Sequence, residues 1–315
     1  MNRNLILAML TICIAFGLTI FPTLGKAGAA EQTVMATTFP IYQIVRNVTQ
    51  GRDRVKVELM LPSQLGCPHD YALTPQDMKK LAQADILVVN GLGMEEFLGA
   101  PVKKANPRLV LIDSSAGITN LLEYEQSNTG KDKTHGSAER HYEGTNPHLF
   151  ASPGMTARLA MNIAASLSKA DPKGAAIYFG NAQAYAKTMN NLACEMAALG
   201  KRLKNNRIVQ PHGVFDYLAR DIGLEIVAVM QTHGQEPSAY EMMFIVQTIR
   251  HTRTGAIFIE PQYPGKVGNS LSKETGVPVA MLDPVATGPE NAPLTYYETV
   301  MRKNMKTIAA TLGVK

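Results

Sequence analysis

Four short segments carry the side chains in this chain that a divalent cation would take. They are Pro68-His69, Asn146-Pro147-His148, Pro211-His212 and Leu282-Asp283-Pro284. Each histidine follows a proline, and three of the four segments come after β-like runs, where open α/β sheets present ligand-binding groups. Three imidazoles and one carboxylate meeting at a point make a four-coordinate site for a borderline-soft divalent metal. The sequence gaps between them are long, so convergence is an expectation about the fold. Such ligands must be deprotonated, so binding is expected to weaken in acid as the histidines protonate.

The elements that must position these residues read clearly. Strand-like runs fall at 33–38, 55–60, 86–89 and 109–112, and again at 207–210, 225–230, 256–259 and 277–282. Helical segments lie between them, among them 41–48, 74–84, 153–169, 214–221, 238–250, 266–275 and 294–312. Thr74-Pro75-Gln76-Asp77 is a helix start, with a capping threonine, a proline at the first position and an acid after it. Strands alternating with helices imply βαβ units and parallel sheets. From Asp171 a helix is expected to run to Leu203, with Tyr178, Ala182, Tyr185, Met189, Leu192, Met196, Leu199 and Leu203 on one face. About 30 residues at ~1.5 Å each span ~45 Å, more than one small domain needs. The fold class is therefore α/β: two similar lobes with mostly parallel four-stranded sheets, joined by one long rigid helix, with the metal site in the cleft between lobes. The expected organisation is a signal peptide over 1–30, a first lobe over 31–170, a linking helix over 171–203 and a second lobe over 204–315.

The signal peptide is read from an apolar run, Leu5 to Phe16, followed by Ala27-Gly28-Ala29-Ala30. The rest has no stretch long and apolar enough to span a bilayer. Of its 315 residues, 45% are hydrophobic and 18% charged, the composition of a folded chain. The net charge of +5 is scattered, without a basic stripe among aromatics, which speaks against nucleic acid as a partner. Beyond the leader there are two cysteines, Cys67 and Cys194, and no CxxC. Whether they pair stays open. Segment 123–145 is polar and aperiodic and reads as a surface loop; its His135 and His141 are solvated groups or weak collectors of metal. His233 reads as structural, His251 as a cation in a helix's last turn, and Glu260 as either a turn cap or a group behind the ligands.

With these motifs in place, the chain resembles the zinc- or manganese-binding solute receptors of bacterial ABC importers. Thr38-Phe39-Pro40-Ile41-Tyr42, Pro68-His69-Asp70-Tyr71 with Thr74-Pro75, and Asn146-Pro147-His148-Leu149-Phe150 are similar to family segments. So are His212-Gly213-Val214-Phe215-Asp216-Tyr217-Leu218, Glu236-Pro237-Ser238 and Asp283-Pro284. The resemblance implies a periplasmic, monomeric receptor, not an enzyme, that delivers its ion to a membrane permease, with His69, His148, His212 and Asp283 as ligands and little hinge closure. It also implies zinc, since manganese receptors more often carry Glu at the position of His212; manganese is the second candidate. The chemistry agrees, because imidazole-rich sites suit zinc. The chain departs from the family pattern at Cys67, Asn146 and Gly213, where acids are common. Cys67 is expected to stay out of a coordination sphere already filled by four donors. A zinc hydrolase, with three ligands and an open position for water, and a metal-free adhesin are the competing readings.

Overall fold

The computed structural model describes residues 31–68, 71–123, 144–230 and 236–315. The expected signal peptide, His69, His135, His141, His233 and most of the polar loop lie outside the described residues. Among the described residues, eight strands form two sheets. The first holds β1 (Gln32–Ala36), β2 (Val55–Leu59), β3 (Ile86–Val89) and β4 (Val110–Asp113) in the order β2-β1-β3-β4. The second holds β5 (Arg207–Gln210), β6 (Glu225–Val229), β7 (Ala256–Ile259) and β8 (Val279–Met281) in the order β6-β5-β7-β8. Every pairing is parallel, and both sheets reverse direction of growth between their first and third strands.

Nine helices follow among the described residues: α1 (Phe39–Thr49), α2 (Pro75–Gln83), α3 (Gly99–Ala105), α4 (Pro153–Ala170), α5 (Ala175–Gly200), α6 (Asp216–Ile222), α7 (Ala239–Thr252), α8 (Lys266–Thr275) and α9 (Tyr296–Leu312). The expected start of α2 is realised as a full capping box, Thr74 accepting from the Asp77 amide and Asp77 from the Thr74 amide. Helix α3 escaped the sequence reading: it is 7 residues long and contains Gly99 and Pro101, too little for a period to emerge.

The linking helix is shorter than expected, at 26 residues or ~39 Å. A 3-10 turn over Pro172–Gly174 replaces its first residues. That turn is pinned by Asp171, which accepts from Arg52 and from the Tyr178 hydroxyl. At the other end a side chain on Gly200 would strike the Ile222 carbonyl, so α5 finishes in close contact with α6.

Strand alternation explains how α5 joins the halves. In the first sheet Val34, Ala36, Ile86 and Val88 face one core, while Met35, Leu87 and Val89 face another beneath α2 and α3. In the second sheet Ile208, Ala256 and Phe258 share the first core, and Val209 and Ile257 face a third beneath α7 and α8. The common core is filled by α4 and by the stripe Tyr178, Ala182, Tyr185, Met189, Leu192 and Met196 of α5. Residues Glu31–Lys315 therefore form one compact unit. A polar seam reinforces it: Arg46 donates to the Ala292 carbonyl, Asn47 to Leu294, Gln64 to Gly288, and the Gly288 amide to Ser63. No helix among the described residues is long and apolar enough to cross a membrane.

Candidate metal centre

His212 lies two residues past β5, and Glu260 is the first residue past β7. These strands are neighbours at the second sheet's reversal point, so the two side chains emerge side by side. Nδ1 of His212 stands 3.0 Å from Oε1 of Glu260, a buried residue whose other oxygen, Oε2, accepts from Gln262. With Nδ1 paired with a carboxylate, Nε2 is the nitrogen placed to bind a cation. His212 is held well above the ordinary histidine value: burial disfavours its charge, and Glu260 together with Cys67 outweighs that.

His148 comes from the segment joining the first sheet to α4 and is fully buried. Asn90, past β3, donates to the Pro147 carbonyl and fixes the segment from one side. Asn146 fixes it from the other, donating its amide hydrogens to the Gly213 carbonyl and to Oδ2 of Asp216 at 2.7 Å each. Both acceptors lack hydrogens to give, so the amide oxygen must point at His148. It accepts there from the backbone amide at 2.9 Å and from Nδ1 at 2.8 Å. Again Nε2 is the nitrogen on the far side of the ring from that bond. The charge missing at position 146 thus stands one amide away, on Asp216, which also accepts from Gln210. An aspartate at 146 would face that carboxylate with nothing to donate.

The rings of His148 and His212 meet edge to face with centroids 5.1 Å apart. Cys67 lies against both, its Sγ 3.4 Å from Nε2 of His148 and 3.6 Å from Nε2 of His212. Among the described residues these three form the one group whose ligand atoms all fall within 4.8 Å of one another. The expectation that Cys67 stands apart from the site is corrected by this position: the first loop's sulfur sits between the imidazoles of the other two. Burial pushes its thiol up, with the His212 hydrogen bond opposing. Both Cys67 and Cys194 are free.

The other expected residues divide. Asp283 follows β8 as anticipated but is not a member of the three-residue group; its Oδ1 accepts from the Val285 amide. Burial raises its carboxyl above the ordinary value, and the charge of Glu260 adds to the effect. His251 bonds the Gln247 carbonyl within its own helix.

Two parallel α/β halves spliced by a long helix, with imidazoles gathered at strand ends, define the class of periplasmic metal receptors. The chain belongs to the family described as zinc-uptake complex component A, periplasmic (ZnuA), which it matches over residues 34–311. It is 26% identical over 324 residues to the zinc-binding protein AdcA of Streptococcus pyogenes, and spans 62% of that protein's length. It is 26% identical over 287 residues to the high-affinity zinc uptake system protein ZnuA of Bacillus subtilis, covering 90% of this chain and 88% of that one. Among solved structures, a zinc-bound deletion mutant of ZnuA superposes with a TM-score of 0.73 at 26% identity, covering 90% of this chain and 99% of that one. The nickel complex of the solute-binding protein FpvC from Pseudomonas aeruginosa gives 0.74 at 28% identity, covering 90% and 97%.

Proposed function

We propose that this chain is an exported solute receptor that captures a divalent transition metal, foremost zinc, and passes it to the permease of an ABC importer. The observation that carries this reading is the pair His148 and His212. Two histidines from distant segments have their Nδ1 atoms engaged, by Asn146 and Glu260, and their Nε2 atoms turned to one point. Outer partners of this kind orient a metal-binding imidazole and raise its basicity. The zinc-uptake relatives and the zinc-, nickel- and manganese-bound neighbours support a cation of this class as cargo. We assign His69 and Asp283 as further ligands on the sequence pattern, and residues 1–30 as the export signal.

Glu260 speaks against hydrolysis. A catalytic zinc needs a base beside its bound water, whereas this carboxylate is occupied by His212 and Gln262. The test is metal content and competitive zinc titration of the purified protein and of His69→Ala, His148→Ala and His212→Ala. The protein is expected to bind one zinc, with affinity reduced in each variant. Undiminished affinity in all three overturns the assignment.

A further inference from the structure

We propose that Cys67 binds the captured ion directly through its sulfur, so that the centre takes its metal on a thiolate as well as on the imidazoles of His148 and His212. This rests on the reading of the chain as a metal receptor and specifies what that receptor selects. The argument begins with the distances. A zinc ion sits ~2.3 Å from a thiolate and ~2.0–2.1 Å from an imidazole nitrogen, and at a tetrahedral angle those two ligand atoms are ~3.5 Å apart. The Sγ of Cys67 lies 3.4 and 3.6 Å from the two Nε2 atoms. The separations are those of ligands sharing one ion.

The backbone that delivers the sulfur is constrained to do so. Gly66 has φ +81°, a conformation side chains disfavour. A Cβ there would also come within 3.1 Å of the Tyr263 hydroxyl and 3.3 Å of Gln262. The turn before Cys67 is thus pressed onto the loop that begins with Glu260. Pro68 fixes the chain on the other side. Both imidazoles have Nδ1 beside a partner oxygen and Nε2 beside the sulfur.

On binding, the S–H bond breaks, the proton leaves to water and the sulfur lone pair goes to the cation. A soft donor in this place favours zinc and cadmium and disfavours manganese, which prefers oxygen. Carboxylate in the same place would narrow that difference. A cysteine at position 67 therefore bears on which metal the centre prefers.

The decisive measurement is the near-ultraviolet spectrum of the purified protein loaded with one equivalent of cobalt(II) or cadmium(II). A thiolate-to-metal charge-transfer band is expected, retained in Cys194→Ser and absent in Cys67→Ser. Losing a ligand costs at least what losing an outer partner costs, so zinc affinity should fall by about 10–100-fold or more in Cys67→Ser, and manganese affinity by less. A second measurement needs no variant. Zinc should protect Cys67 from alkylation by iodoacetamide, mapped by peptide mass, while Cys194 reacts equally with and without metal. A protein that takes up its metal yet shows no band and no protection overturns the thiolate ligand and leaves the receptor reading intact. A protein that takes up no metal overturns both.

Discussion

The two sheets have the same strand order, yet their reversal points are built to opposite ends. In the first, the point between β1 and β3 is closed by the chain itself. Glu95 turns back from the loop after β3 and accepts from the Thr37 hydroxyl at 2.6 Å and the Asn90 amide at 2.7 Å, with the Gly91 amide at 3.1 Å on its other oxygen. Gly91 permits the turn: its φ is +89°, and a side chain there would overlap Asp113 and Ser115. In the second sheet the carboxylate at the corresponding point, Glu260, holds His212 and leaves that ring's outer nitrogen to a ligand. Topology supplies the same crevice twice. At the second His212 faces the centre, whereas at the first Glu95 is turned inward, so it is chemistry placed on the strand ends that makes one point part of a site and the other a plug.

The largest expected effect comes from removing the outward group. His212→Ala takes away a ligand and leaves Glu260 buried without its ring, so zinc affinity should fall by more than about 100-fold in competitive titration. The plug should behave differently. Burial raises the Glu95 carboxyl from 4.5 to about 7, against the pull of its Thr37, Asn90 and Gly91 hydrogen bonds. A group raised on folding contributes stability at pH below its unfolded value and loses it as pH rises through the folded one. Between about pH 4.5 and pH 7, roughly 3 kcal/mol of stability should therefore drain away, at about 1.36 kcal/mol per pH unit, and the loss should level off above that. Urea unfolding across that range, in the native protein and in Glu95→Gln, should show the slope in the first and its loss in the second, with zinc affinity unchanged by the variant. A flat profile in the native protein breaks the contrast. The smallest effect expected is from Glu260→Gln, which keeps the shape but removes the charge behind His212. Affinity should drop about 10–100-fold with little change in urea midpoint. Were Glu95→Gln to weaken zinc as much as Glu260→Gln does, the two crevices would not be functionally distinct.

What could be read from the sequence was what is local. The strands showed because β3 and β7 are short apolar runs between polar ends, and the face of α5 showed because its period is its own. His148 and His212 were visible as histidines beside prolines at loop ends, a signal that needs no partner. Glu95 was not, since the hydroxyl that holds it lies 58 residues away and nothing in Met94-Glu95-Glu96 distinguishes a plug from a surface acid. Asn146 read as a missing charge because Asp216, which restores it, is 70 residues further on. Cys67 was set aside on a count of donors; the sulfur's position depends on how the turn at Gly66 packs against Tyr263, a tertiary fact.

The common core around α5 limits how far the two halves can part. Swinging one half away from the other would wet Met189, Leu192 and Met196, which are almost wholly covered, at ~1.5–3 kcal/mol apiece. Retreat of a single strand-end turn, such as the one bearing Cys67, uncovers far less. In such a body one turn can shift while the shared core stays closed.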